Sequence, residues 1–195
     1  GKTWEFAFFA LLGFLCAPVG TLFQRALHYF EATFERQRAI PKSLMPAVGG
    51  FLVGALSLVL PAVRGQGKAE ITAALLGTVS LGTALACGAG KIFATAFTLG
   101  SGGSGGSLMP ALFVGAMLGG AFGKVVGPLF GVAPGPGPLA VVGMAGVFSS
   151  AFRAPITAVI MTFEITRDYG ILGPVMIACV ISHLLSRPAP KTSEG

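Results

Sequence analysis

The sequence has few charged residues and very few acidic ones. Only 10% of its 195 residues are charged, seven of them acidic, whereas 53% are hydrophobic. A soluble domain of this size needs more charge on its surface, and its helices show a polar face at a 3.6-residue period that is missing here. These shortages exclude an ordinary soluble protein. The mean hydropathy of +0.82 indicates that its main solvent is lipid.

Residues that serve catalysis or metal binding are equally scarce. Cys16, Cys87 and Cys179 lie in apolar stretches and form neither a disulfide framework nor a CxxC pair. The two histidines, His28 and His183, are isolated, and the acids are too dispersed for a triad or a carboxylate dyad. We therefore predict that the protein is not an enzyme and has no cofactor, no metal site and no catalytic residue.

The net charge of +6 does not indicate a nucleic-acid partner. The 13 Lys and Arg residues stand singly or in pairs, mostly at the ends of apolar stretches, as they do in the loops and interfaces of membrane proteins. A nucleic-acid surface would cluster them on one face with aromatic side chains. We expect the lipid bilayer to be the partner of this chain.

Uncharged stretches of membrane-spanning length predict an all-α, polytopic membrane protein with broken or re-entrant helices. They are residues 6–24, 43–63, 71–90, 92–123, 125–152 and 169–186. We assign one domain to residues 1–186 and a polar tail to residues 187–195, where prolines break any helix. Because the chain begins with Gly1 rather than Met, we expect it to be processed or cut from a longer product.

The predicted helices follow from prolines, glycines and charges. Two or three helices are expected after the turn at Gly131–Pro138. Before it we predict helices at Trp4–Arg38, Pro41–Pro61, Glu70–Leu99 (divided near Gly77–Gly82) and Ser107–Val126.

Four glycines in the helix after Pro110 share one face. Gly115, Gly119, Gly123 and Gly127 are each four residues apart. Small residues at this spacing let helix backbones approach closely in lipid. We expect tight helix packing there and assign these glycines no chemistry.

The glycine-rich run Gly100–Pro110 interrupts 32 uncharged residues between Lys91 and Lys124. Glycine costs a helix up to about 1 kcal/mol per site, so the helix must break within the membrane. Free backbone groups at that depth are tolerated only inside protein or beside a polar cavity. The broken helix therefore predicts a site.

Helical sequence resumes near Ser107, where the first amides have no intrahelical acceptor and the macrodipole is positive. Pro110 has no amide hydrogen to lose in the first turn. Such partial charges hold an anion without trapping it, as conduction requires. The candidate anion-binding residues are Gly105, Gly106, Ser107, Leu108, Met109 and Pro110.

The same glycines are open to further interpretations. Residues 100–105 match GxGxxG, but no strand precedes them and the next acid is Glu164. A phosphate-binding Walker loop would need Gly-Lys-Ser/Thr after its glycines. The run could also form a plain structural kink. A flexible linker is disfavoured, because linkers join domains in water rather than apolar helices in a membrane.

Three further residues have competing roles. Glu164 is a candidate for ion or proton handling inside an apolar helix, or it pairs with Arg167 three residues on. Arg153 is expected to bond the carbonyls that end the preceding helix. Lys91 either extends to the membrane interface or adds positive potential near the anion.

Two segments resemble the CLC chloride channels and transporters. They are TLGSGGSGGSLMPALFVGAMLG at 98–119, which is similar to the family's GGxFxP signature, and GMAGVFSSAFRAPITAVIMTFEIT at 143–166. The family pattern usually has an aliphatic residue where this sequence has Ser107, Phe where it has Leu108, and often Ala where it has Met109. These departures affect pore width and selectivity, because the Ser107 hydroxyl is expected either to contact the ion or to cap the helix.

The resemblance implies the C-terminal repeat of an inverted-repeat membrane domain, with chloride as the transported ligand at the amides of Ser107 and Leu108. It implies a voltage-gated-type channel or a chloride/proton antiporter in the cell (inner) membrane. It further implies a homodimer with the first long helix and Pro155–Ser186 at its interface. The family's gating glutamate would precede Gly1 and its coordinating tyrosine would follow the chain. The alternative is a non-transporting membrane scaffold or degenerate repeat.

Overall fold

The computed structural model describes residues 5–37, 41–42, 44–130 and 135–186. All regular secondary structure in this part is helical and it contains no strand, which confirms the predicted all-α class. Its helices are α1 (Glu5–Arg36), α2 (Met45–Val59), α3 (Lys68–Leu75), α4 (Leu81–Gly100), α5 (Leu108–Phe130), α6 (Pro136–Phe152), α7 (Pro155–Thr166) and α8 (Leu172–Leu185), with 3₁₀ turns at Pro61–Val63 and Tyr169–Ile171. The predicted tail, 187–195, lies outside the described residues.

Among the described residues, three helices are long and apolar enough to cross a membrane. They span Phe6–Arg36, Leu81–Gly100 and Leu108–Pro128. The remaining apolar helices are shorter, with 12 to 17 residues in α2, α6, α7 and α8. The mixture agrees with a polytopic bundle in which some helices cross the membrane only partly.

Local sequence explains most helix ends. The predicted division near Gly77–Gly82 is confirmed, since Gly77 has φ +69° after α3 and the Ser80 hydroxyl accepts from the Thr83 amide at the start of α4. The turn predicted to reach Pro138 is wrong at its end, because α6 already begins at Pro136. Proline suits a first turn, where no amide hydrogen is needed. Residues 131–134 lie outside the described part.

Helices α5 and α6 form the centre of the core. Thirteen consecutive residues of α6, Leu139 to Ala151, are buried. A Cβ atom at Gly115 would lie 2.6 Å from the Met144 Cα, and one at Gly123 would lie 2.8 Å from the Pro136 Cα. Tight packing is thus confirmed for the first three glycines of the face, including Gly119.

The fourth glycine of that face does not pack. A Cβ at Gly127 would meet nothing within 4 Å. Near its C-terminal end, α5 extends beyond the segment of α6 that lies against Gly115 and Gly119, so the spacing predicted a contact that the neighbouring helix does not reach. The prediction of tight packing is wrong at this position.

Buried serines tie α6 to its other neighbours. The Ser150 hydroxyl donates to the Cys16 carbonyl of α1 at 3.0 Å, and the Ser149 hydroxyl donates to the Cys179 carbonyl of α8 at 2.9 Å. From α8, the Ser182 hydroxyl donates to the Gly146 carbonyl at 2.9 Å. These bonds satisfy hydroxyl groups that lipid or an apolar core would otherwise leave unpaired.

Candidate functional site

The glycine-rich run separates α4 from α5, as predicted. The amides of Gly102 and Gly103 donate to the Leu99 and Thr98 carbonyls, at 3.0 and 2.9 Å, and Gly102 has φ +78°. These bonds satisfy the C-terminal carbonyls of α4 in the way that helix C-caps do. The chain then leaves the helix axis and reaches the start of α5 at Leu108.

Six consecutive amides at the start of α5 have no protein acceptor. The first bond of the helix runs from the Ala111 amide to the Ser107 carbonyl at 3.1 Å, so Leu108 and Met109 are first-turn residues. Within the described residues, the amides of Ser104 to Met109 donate no hydrogen bond. They lie at the positive end of a 23-residue helix. This arrangement offers donors to an anion or to water.

The Ser107 hydroxyl does not cap the helix. It makes no hydrogen bond with the described part of the protein, although serine is a preferred N-cap residue. The other expected role of this hydroxyl, contact with the ion, stays a prediction.

A cavity of about 570 Å³ adjoins these amides. Five of the six predicted anion-binding residues line it, namely Gly105, Gly106, Leu108, Met109 and Pro110, whereas Ser107 is not among the lining residues. The other walls come from α2, α4 and the loop before α3. The structure therefore brings the predicted backbone segment to one cavity.

Lys91 lies in the cavity wall and is buried. Its side chain is 3% exposed, and Nζ donates to the Val63 and Gly65 carbonyls at 2.9 and 2.5 Å. Nζ also lies 5.3 Å from the centre of the Phe113 ring. The expectation that Lys91 extends to the membrane interface is wrong, because carbonyls from a neighbouring loop satisfy its charged group inside the protein.

Arg64 also lines the cavity, and sequence reasoning did not single it out. It is exposed, and its guanidinium donates to the Ser57 carbonyl at 3.1 Å. Its signal in the sequence was the basic loop Arg64–Lys68 between two apolar stretches. Among the described residues that line the cavity there are two cations and no acid.

Glu164 lies away from this cavity. It is exposed on α7 and forms no ion pair with Arg167, since the only ion pair of the described residues joins His28 and Glu31 at 3.6 Å. The predicted pairing is wrong because Arg167 adopts φ +52° and ends the helix, so its side chain leaves the face that Glu164 occupies. Ion or proton handling by Glu164 stays a prediction.

Arg153 bonds a carbonyl of a different helix end from the one predicted. It ends α6 with φ +53°, and its guanidinium donates to the Ser186 carbonyl at 3.2 Å. The guanidinium therefore bonds the end of α8 rather than the carbonyls that end α6. Its structural role holds, with α8 as the partner.

The remaining candidates for chemistry do not meet. The three cysteines are free and buried, and the His183 Nδ1 atom is buried with no partner among the described residues. Within the described ranges, no three His, Cys, Asp or Glu side chains come together as a metal ion would require.

Long apolar helices, a break between two of them and a cation-lined cavity beside free amides define the class: a polytopic helical membrane protein with an internal site. A family model described as "Voltage gated chloride channel" matches residues 2–187. The chain therefore belongs to the CLC family of voltage-gated chloride channels, which confirms the resemblance of its two signature segments.

Relatives of the chain include both channels and exchangers by name. A "putative chloride channel protein ClcB-like" from Ralstonia nicotianae is 36% identical over 187 residues, covering 93% of this chain and 42% of the relative. An "H(+)/Cl(-) exchange transporter ClcA" from Cronobacter sakazakii is 31% identical over 188 residues, covering 92% and 39%.

A solved structure shares the fold. The crystal structure of a slow cyanobacterial Cl⁻/H⁺ antiporter superposes with a TM-score of 0.82 at 26% identity, over 95% of this chain and 44% of that chain. The chain thus spans less than half the length of each of these proteins.

Proposed function

We propose that this chain supplies one side of a transmembrane chloride path, in a voltage-gated-type chloride channel or a chloride/proton antiporter. The observation that carries the proposal is the run of six amides at and just before the start of α5, Ser104 to Met109, that have no acceptor among the described residues. Family membership supports chloride as the ion, and the absence of acids from the described cavity wall favours an anion over a cation.

The chemistry of this site suits transport rather than tight binding. Amide dipoles and the helix terminus attract an anion through partial charges. A site of this kind replaces part of the hydration shell of the ion and still releases the ion. Gly105 and Gly106 carry no side chain, so a small anion can approach their backbone closely.

The same proposal includes assembly and location. We expect a homodimer in a cell membrane, the inner membrane in bacteria, without cofactor or enzymatic activity. Exposed apolar side chains on α7 and α8, including Ile156 and Leu184 at 76% and 75% exposure, support a contact with lipid or a second subunit. Cross-linking in native membranes through Ile160→Cys would test the dimer.

Substitution of Leu108 separates the amide from the side chain. Leu108→Pro removes a first-turn amide at a position where proline fits a helix, whereas Leu108→Ala keeps the amide and shortens the exposed side chain. In proteoliposomes with the full-length protein, we expect Leu108→Pro to reduce chloride efflux about tenfold or more, because a hydrogen-bond donor to the anion is lost. Leu108→Ala should stay within about threefold of the unsubstituted protein, since the amide donor is retained.

Leu81→Pro is the matched control. Leu81 is the first residue of α4, its amide donates no bond, and Ser80 before it is already extended at ψ 155°. Leu81→Pro should leave chloride efflux unchanged. If efflux with Leu108→Pro equals the efflux with Leu108→Ala and Leu81→Pro, the amide site is excluded, and the alternative, a non-transporting scaffold or degenerate repeat, is favoured.

A further inference from the structure

We propose that Arg64 is an anion-attracting residue at the wall of the cavity, held there by Lys91, and that it raises the local concentration of small monovalent anions before they reach α5. The proposal rests on the proposed chloride path. It assigns a role to a loop, Arg64–Gly67, that the amide site does not include.

The loop is fixed from two helices. Lys91 of α4 donates to the Val63 and Gly65 carbonyls on either side of Arg64. From α5, the Phe113 ring lies so close to Gly67 that a Cβ there would overlap it. Because Gly67 also has φ +69°, a side chain at this position would be strained in two ways. The Arg64 backbone is therefore held at the cavity wall.

The charge of Arg64 is not neutralised. Among the described residues, its guanidinium makes one hydrogen bond, to the Ser57 carbonyl in the last turn of α2, and arginine has five donor hydrogens. Neither Arg64 nor Lys91 forms an ion pair within the described residues. Carbonyl partners orient a cation without cancelling its charge, so the cavity keeps a positive potential that attracts anions.

A purely structural role predicts a different behaviour. If Arg64 only caps the carbonyls of α2, then any replacement that loses the bond to Ser57 should act alike, whatever its charge. If Arg64 acts through its charge, a cation of another shape should restore function and an anion should impair it further. Attaching a charged group to the folded protein at position 64 distinguishes the structural role from the electrostatic role.

The buried cysteines make this experiment practicable. Cys16, Cys87 and Cys179 are at most 2% exposed. Thiol reagents in water would therefore react with an exposed cysteine introduced at position 64 rather than with these three. Arg64→Cys in the full-length protein, with any cysteine outside residues 1–195 replaced by serine, would be reconstituted in proteoliposomes. Separate portions of the same sample would then react with one of two thiosulfonate reagents, one that attaches a trimethylammonium group and one that attaches a sulfonate group.

At chloride concentrations well below saturation, Arg64→Cys should lower the initial efflux about two- to fivefold, the effect of one charge partly screened by water. Relative to unmodified Arg64→Cys, the trimethylammonium group should raise efflux and the sulfonate group should lower it. The differences in efflux among the three forms should shrink in high concentrations of an impermeant salt. Lys68→Cys is the control, since Lys68 is exposed at the end of the same loop and does not line the cavity.

Each outcome decides one of the two proposals. Efflux that is unchanged by Arg64→Cys, or changed equally by both reagents, would overturn the role of Arg64 while the amide site stands. If the unsubstituted protein carries no chloride, or Leu108→Pro has no effect on efflux, the proposed function fails, and the inference about Arg64 fails with it.

Discussion

The first turn of α5 and the body of the same helix have opposite surroundings. Leu108 is 46% exposed beside the cavity, whereas Ala111, Leu112 and Phe113 are at most 1% exposed. Glycines precede the first turn and leave its amides accessible, while glycines in the body bring α5 against α6. Glycine thus leaves the start of α5 open and lets the body of the helix pack closely, according to whether a neighbouring backbone lies against it.

The largest effect should come from the packed glycines of the body. Gly119→Ala places a Cβ 2.7 Å from the Leu139 carbonyl carbon and 2.8 Å from the Ala140 Cα, and backbone atoms cannot rotate away. We expect the free energy of unfolding to fall by about 3 kcal/mol. The measurement is the unfolding midpoint of the full-length protein in detergent.

Gly127→Ala is the matched control on the same helix face. A Cβ there meets nothing within 4 Å, and alanine favours a helix over glycine by up to about 1 kcal/mol. Stability should therefore stay equal or rise. If both alanine variants lost stability alike, the contrast between packed and open glycines would be refuted.

An intermediate effect on stability is expected at Lys91, in the wall of the cavity beside the first turn of α5. Lys91→Met keeps much of the side-chain volume but leaves the Val63 and Gly65 carbonyls without their donor. Loss of a buried charged donor should cost about 1–3 kcal/mol. Lys124→Met is the control, because Lys124 makes no hydrogen bond with the described residues. Equal unfolding midpoints for the two variants would show that the loop is not held by Lys91.

The smallest effect on stability is expected in the break itself. A Cβ at Gly106 would meet nothing within 4 Å, and this glycine is exposed. Gly106→Ala should change the free energy of unfolding by no more than about 0.5 kcal/mol. A loss of stability as large as that expected for Gly119→Ala would mean that Gly106 is packed in the native protein. That result would contradict the contrast between the open start and the packed body of α5.

Sequence reasoning was most successful where the cause is local. It predicted the break at Gly100–Pro110, the division near Gly77–Gly82 and the restart of the helix near Ser107, because glycine, proline and serine act on their own backbone. It was wrong for the pairing of Glu164 with Arg167, since helical spacing assumes that both residues stay in the helix. It missed Arg64, because the loop that carries this residue is bonded by Lys91 from a helix distant in sequence.

What the sequence by itself determined is the solvent and the place of the break. A chain with 53% hydrophobic and 10% charged residues requires lipid, and a glycine-rich run cannot remain helical there. The tertiary structure alone decided which carbonyls hold Lys91, 26 and 28 residues away, and which helix end receives Arg153, 33 residues away. Backbone preference is set by adjacent residues, whereas a side chain's partners are chosen by how the helices pack.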